Sequence, residues 1–164
     1  MEGVRKKLLW LPAIAALALA MMPMLHPFGP VREQRSTVLP VDDAAVLAVI
    51  ERSCQNCHSQ RTEWPLYSHL PLVSWALEKD VAEARQHLDF SHWEQYSVEE
   101  KQDLLARIGR VVRNGQMPLP RYLLLHRDAR LSGVEIQLIY DWTKAQRRAL
   151  RKSPGINSME SESP

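Results

Sequence analysis

Cysteine is scarce in this chain: there are two in 164 residues, standing three apart at Cys54 and Cys57. A structural zinc site would need a second Cys/His pair at matching spacing, and none exists. The other histidines (His26, His69, His87, His92 and His126) are scattered. Strand-type alternation of apolar and polar residues is almost absent too. That removes the βαβ setting in which a thioredoxin-like Cys-x-x-Cys works. An excess of one charge is missing as well. Taking Arg5, Lys6 and Lys7 from 21 basic residues, and Glu2 from 19 acidic ones, leaves 18 of each beyond residue 20. Such a balance gives no case for a nucleic-acid partner. No internal repeat is visible.

What the chain does have is concentrated at one point. Cys54-Gln55-Asn56-Cys57-His58 has the form Cys-x-x-Cys-His, the attachment signature for c-type haem. Shuffling the composition would produce it in about one chain in two thousand. The spacing has a chemical reason. Residues three apart share a face of a helical turn, so two thiols can form thioethers to the two vinyl groups on one haem edge. His58 then projects toward the iron as a neutral imidazole, its other ring nitrogen left to hold a backbone carbonyl. The motif therefore predicts one covalently attached haem c, with Cys54 and Cys57 as attachment points and His58 as the proximal axial ligand.

The N-terminus points the same way. Arg5, Lys6 and Lys7 precede an uncharged run from Leu8 to Leu25, broken only by Pro12 and Pro23. A basic cluster before an apolar segment keeps the N-terminus inside and sends the remainder out, to the kind of compartment where haem c is attached. At 1.5 Å per residue the run spans about 27 Å, close to a hydrocarbon core of about 30 Å. We therefore expect residues 1–25 to be a signal or anchor segment. The length favours an uncleaved anchor in the inner membrane, with the haem domain in the bacterial periplasm. Ala18-Leu19-Ala20 has the small-x-small form of a cleavage site, so removal after Ala20 competes with anchoring.

Pro27, Pro30 and Pro40 mark residues 26–40 as a tether. Residues 41–152 are then a single haem-binding domain, and the polar stretch 153–164 a disordered tail. Within the domain, Asp42 or Asp43 caps a first helix carrying Val46, Leu47, Val49 and Ile50, which delivers the haem motif at its end. A second helix runs from Leu72 to His87 with Val73, Leu77, Val81 and Ala84 at helical spacing. Ser91 caps a short turn holding Trp93. Ser97-x-x-Glu100 is a capping box opening a third helix, with Leu104, Leu105, Ile108, Val111 and Val112 as its stripe and Asn114-Gly115 as its stop. Ser132-x-x-Glu135 opens the last, with Val134, Leu138, Ile139 and Trp142 facing in. The fold class is all-α: a small cytochrome c-like domain of about four helices around one haem. Lys144, Arg147, Arg148, Arg151 and Lys152 form a basic stripe on the last helix, read as a solvated end.

Met117 follows the Asn114-Gly115 stop and precedes Pro118-Leu119-Pro120. A thioether on a proline-rich loop suits the distal axial position, and His/Met ligation marks electron-transfer cytochromes. His126 is the second choice for that position. His69, His87 and His92 fit surface roles better. The loop residues Trp64, Pro65, Tyr67 and Pro71 suit either packing against a haem edge or anchoring the core beneath a loop.

Further segments carry a resemblance: Asn56-Cys57-His58-Ser59, Trp64-Pro65-Leu66-Tyr67-Ser68, Pro71-Leu72-Val73-Ser74-Trp75, His87-Leu88-Asp89-Phe90-Ser91-His92-Trp93, Gly115-Gln116-Met117-Pro118-Leu119-Pro120, Tyr122 and Asp141-Trp142. In this order, from about Val46 to Lys144, the chain resembles the bacterial haem-binding domain family of small exported proteins with one Cys-x-x-Cys-His. It departs from that pattern at Leu66, where an aromatic often stands, and at His92, where an acidic residue does. The resemblance implies a periplasmic or membrane-anchored monohaem c-type domain. It carries attachment onto Cys54 and Cys57 and proximal ligation onto His58, and it supports the position of Met117. One-electron transfer to a redox partner protein is the leading expectation, with no enzymatic reaction. The alternative is a haem-based ligand sensor or a peroxidase-like enzyme with a displaceable sixth ligand.

Overall fold

The structure is a computed structural model and describes residues 2–21, 41–70 and 72–152. Among these residues there are α-helices and short 3-10 turns and no strand, so the described fold is all-α. The tether, the tail and Pro71 lie outside the described residues.

Helix α1 (Glu2–Met21) contains Arg5, Lys6 and Lys7 in its early turns and Pro12 within it. The expected apolar run to Leu25 leaves the described residues after Met21. Among them no helix is long and apolar enough to cross a membrane.

Helix α2 (Ala44–Ser53) begins where Asp43 accepts from the amides of Ala45 and Val46. It places Val46, Val49 and Ile50 inside. At Cys54 the backbone leaves helical geometry, and a single turn, α3 (Gln55–His58), restarts from it. The amides of Cys57 and His58 both reach back to the Cys54 carbonyl, at 3.2 and 3.1 Å. Helix α4 (Val73–His87) buries Ser74, Glu78 and Val81.

Helix α5 (Val98–Arg113) opens on the expected capping box. Ser97 Oγ accepts from the Glu100 amide, and the Glu100 carboxylate accepts from the Ser97 amide. It closes in a Schellman motif: the Gln116 amide bonds Val111 O at 2.9 Å, the Gly115 amide bonds Val112 O at 3.1 Å, and Gly115 has φ +65°. Helix α6 (Gly133–Lys152) opens on the Ser132/Glu135 pair, to which Arg52 adds a contact of 2.7 Å with the Glu135 carboxylate.

Helices α5 and α6 pack closely against one another. A Cβ on Gly109 would fall 2.7 Å from Thr143 Oγ1, so the glycine is what lets them approach. The core joins α2 (Val46, Val49, Ile50), α5 (Leu105, Val112), α6 (Ile139, Trp142) and the α4–α5 connection (Leu88, Phe90, Trp93).

Two expectations are corrected. Val134 is 80 % exposed, because it sits in the first turn of α6, ahead of the stretch that packs on α5. Asp89, not Ser91, caps the short turn Phe90–Gln95: its carboxylate accepts from the Ser91 amide.

Candidate cofactor site

The single turn of α3, the end of α4, the inner face of α5 and the loop after α5 surround one cleft of about 290 Å³. Cys54, Cys57, His58 and Met117 all line it. The last is 59 positions beyond the histidine, and the Schellman turn accounts for how it arrives: the chain reverses at Gly115, and the Met117 amide bonds Val111 O at 3.3 Å. The Met117–Pro118 peptide is cis. Apolar walls come from Leu104, Ile108, Val111 and Val112 of α5, with Leu88 and Phe90 opposite.

His58 is held from its Nδ1 side. Its Nδ1 lies 3.0 Å from Leu88 O. A carbonyl only accepts, so Nδ1 carries the proton and Nε2 is left with its lone pair. Phe90 lies beside the ring at 6.1 Å between centroids. Burial pushes the His58 pKa below its ordinary value, against the opposing pull of the Leu88 and Ala84 carbonyls and the Asp89 charge. The imidazole is thereby held neutral, the form a metal requires.

The thiols are free of disulfide. Burial first, and then the neighbouring Cys57, push the Cys54 thiol up to about 12. Burial and the Asp80 charge raise Cys57, with Arg85 and Arg121 opposing. Both stay protonated at neutral pH, which suppresses thiolate attack and disulfide closure.

At the mouth, Asp80 of α4 holds Arg121 with two bonds of 2.6 and 3.1 Å. This ties α4 to the Met117 loop. Asn56, between the two cysteines, donates to Tyr122 Oη at 3.2 Å, while Thr62 and the Glu63 amide bond back to Asn56.

Three of the rival histidines, His126, His92 and His69, are placed elsewhere or otherwise occupied. His126 is bonded through Nε2 to the Tyr67 hydroxyl and stacks on Tyr122 at 4.1 Å. It does not line the cleft. His92 is held by Asp89 at 2.9 Å, and His69 is exposed on its 3-10 turn. His87 does line the cleft, although its side chain is exposed. Trp64 and Tyr67 do not line it either, and neither belongs to the hydrophobic core; Tyr67 bonds His126. The roles of Leu88, Asn56, Tyr122 and the Asp80–Arg121 pair escaped sequence reasoning, although the first three stand in the segments that carry the resemblance. A backbone carbonyl leaves no trace in side-chain identity, and the others act through contacts between distant segments.

Two thiols, an imidazole with a bare nitrogen and a thioether on one apolar cleft form a donor set that fits haem iron and its vinyl edge. A family model described as the haem-binding domain matches residues 15–145. The chain belongs to the haem-binding domain family. The match covers well over half the sequence, starts inside α1, earlier than the resemblance from Val46, and ends within α6. No curated protein and no solved structure matches the chain. In this haem-binding domain the cleft between α3, α4, α5 and the Met117 loop is the candidate cofactor site.

Proposed function

We propose that this haem-binding domain is a monohaem c-type electron-transfer protein, working on the exported side of the bacterial inner membrane. One observation carries the reading: Cys54, Cys57, His58 and Met117 share a cleft, and the Leu88 carbonyl leaves His58 Nε2 bare. Cys54 and Cys57 would attach the haem covalently, with His58 and Met117 as axial ligands. Bound there, the haem supplies a one-electron ferric/ferrous couple. The chain's own residues do the rest. The α5 face keeps water from the centre, Leu88 fixes the imidazole, and the Asp80–Arg121 pair holds the Met117 loop against α4.

No acid–base residue is asked to act on a substrate, so the proposal assigns no enzymatic reaction. The basic N-terminal cluster and the apolar residues of α1 support export. A redox partner protein completes the proposal.

Absorption spectra of the haem-loaded chain test it. A low-spin ferrous form indifferent to carbon monoxide is expected, with a ferric methionine–iron charge-transfer band that Met117→Ala abolishes. Carbon monoxide binding to the unmodified protein would mean an open sixth position and overturn electron transfer in favour of ligand sensing or peroxidase-like chemistry.

A further inference from the structure

The peptide group that holds His58 is itself held at both ends. Its carbonyl, Leu88 O, accepts from His58 Nδ1 at 3.0 Å. Its amide, Asp89 N–H, donates to Tyr96 Oη at 3.0 Å. A hydrogen bond at the amide polarises the whole peptide and makes its carbonyl a stronger acceptor.

The Asp89 side chain then secures the flank. It is 5 % exposed and accepts three bonds: Ser91 N–H at 2.8 Å, His92 Nδ1 at 2.9 Å and Gln60 Nε2 at 3.2 Å. Gln60 lies two residues past His58, and its amide donates to Ser91 Oγ at 2.8 Å. The stretch leaving the haem motif is thus clasped to the stretch that supplies the acceptor. Neither Asp89 nor Tyr96 lines the cleft, so neither touches a group bound there.

We propose that Tyr96 and Asp89 are positioning residues that fix His58 in its Nδ1–H form and strengthen its donation to iron. The inference rests on the haem reading above. A stronger acceptor at Nδ1–H gives the imidazole more anionic character, which stabilises ferric over ferrous iron. The buried Asp89 charge acts in the same direction. Together they lower the reduction potential.

The test uses the full chain with haem attached, comparing Tyr96→Phe and Asp89→Asn with the unmodified protein. Proton exchange of His58 Nδ1–H is followed by NMR in the ferrous, diamagnetic state, and the potential is measured by spectroelectrochemistry. Tyr96→Phe keeps the ring and its edge contact with Trp93 at 6.0 Å and removes only the hydroxyl, so it is the decisive variant. Expected are Nδ1–H exchange faster by about tenfold, the loss of roughly one hydrogen bond, and a higher potential in both variants. Exchange and potential unchanged in Tyr96→Phe would overturn the proposal and reduce the network to a loop clasp. An unmodified chain carrying no covalent haem would show instead that the underlying reading had failed, and the inference with it.

Discussion

His58 and Glu135 are both fixed by hydrogen bonds, and the bonds do opposite things to their charge. At His58 a carbonyl accepts from Nδ1–H while burial favours the neutral ring, which leaves Nε2 its lone pair. At Glu135 the Ser132 amide and hydroxyl and the Arg52 guanidinium all favour the charged form, lowering the carboxyl from 4.5 to about 2. A carboxylate depressed by folding stabilises the native state above the unfolded pKa, and that support disappears as pH falls through the folded value. The pair joins the start of α6 to α2, so its loss loosens the helix that carries the motif. The unmodified protein should lose stability as pH drops from about 4.5 to about 2, and Glu135→Gln should flatten that part of the profile. Thermal melts across this range decide it. Parallel profiles for the two proteins would mean that other carboxylates dominate.

At the scale of elements, the α5–α6 contact is the tightest constraint. Gly109→Ala gains about 1 kcal/mol of helix propensity. It also drives a Cβ into Thr143 Oγ1, and Thr143 is only 2 % exposed, so it has nowhere to go. Overpacking of this kind costs about 1–3 kcal/mol. The net expectation is a loss of about 1 kcal/mol in denaturant unfolding, recovered when Thr143→Ala is added. A Gly109→Ala protein as stable as its parent would mean that the helices slide apart freely.

The helices themselves were largely legible. Both capping boxes and the Asn114-Gly115 stop are local signals, satisfied within a few residues, and the structure uses all three. The short elements were not. The Phe90–Gln95 turn is capped by a buried aspartate that also accepts from Gln60, 29 residues upstream, and no window of local sequence contains that contact. Val134 misled for a related reason: periodicity identifies a face, whereas the point where that face begins to pack depends on the neighbouring helix.

Across the whole molecule, the folding problem is to bring the Cys54–His58 turn and Met117 to one cleft. The chain does so by running α5 past the site and reversing at Gly115. The motif was readable because the proposed covalent attachment would fix residue identity and spacing together. The cleft was not, since α4 and α5 build its walls and the Asp80–Arg121 pair closes it, 41 residues apart in sequence. The rivalry of His126 with Met117 shows the same limit. What separates them is the grip of Tyr67, 59 residues upstream.

The central claim is covalent attachment of one haem through Cys54 and Cys57. The most direct measurement is the mass of the denatured chain after export with the haem-attachment machinery. The account predicts a gain of one haem that survives denaturation, lost when both cysteines are replaced by alanine. A denatured chain at the mass of the polypeptide alone, or a haem adduct persisting without the cysteines, would contradict it.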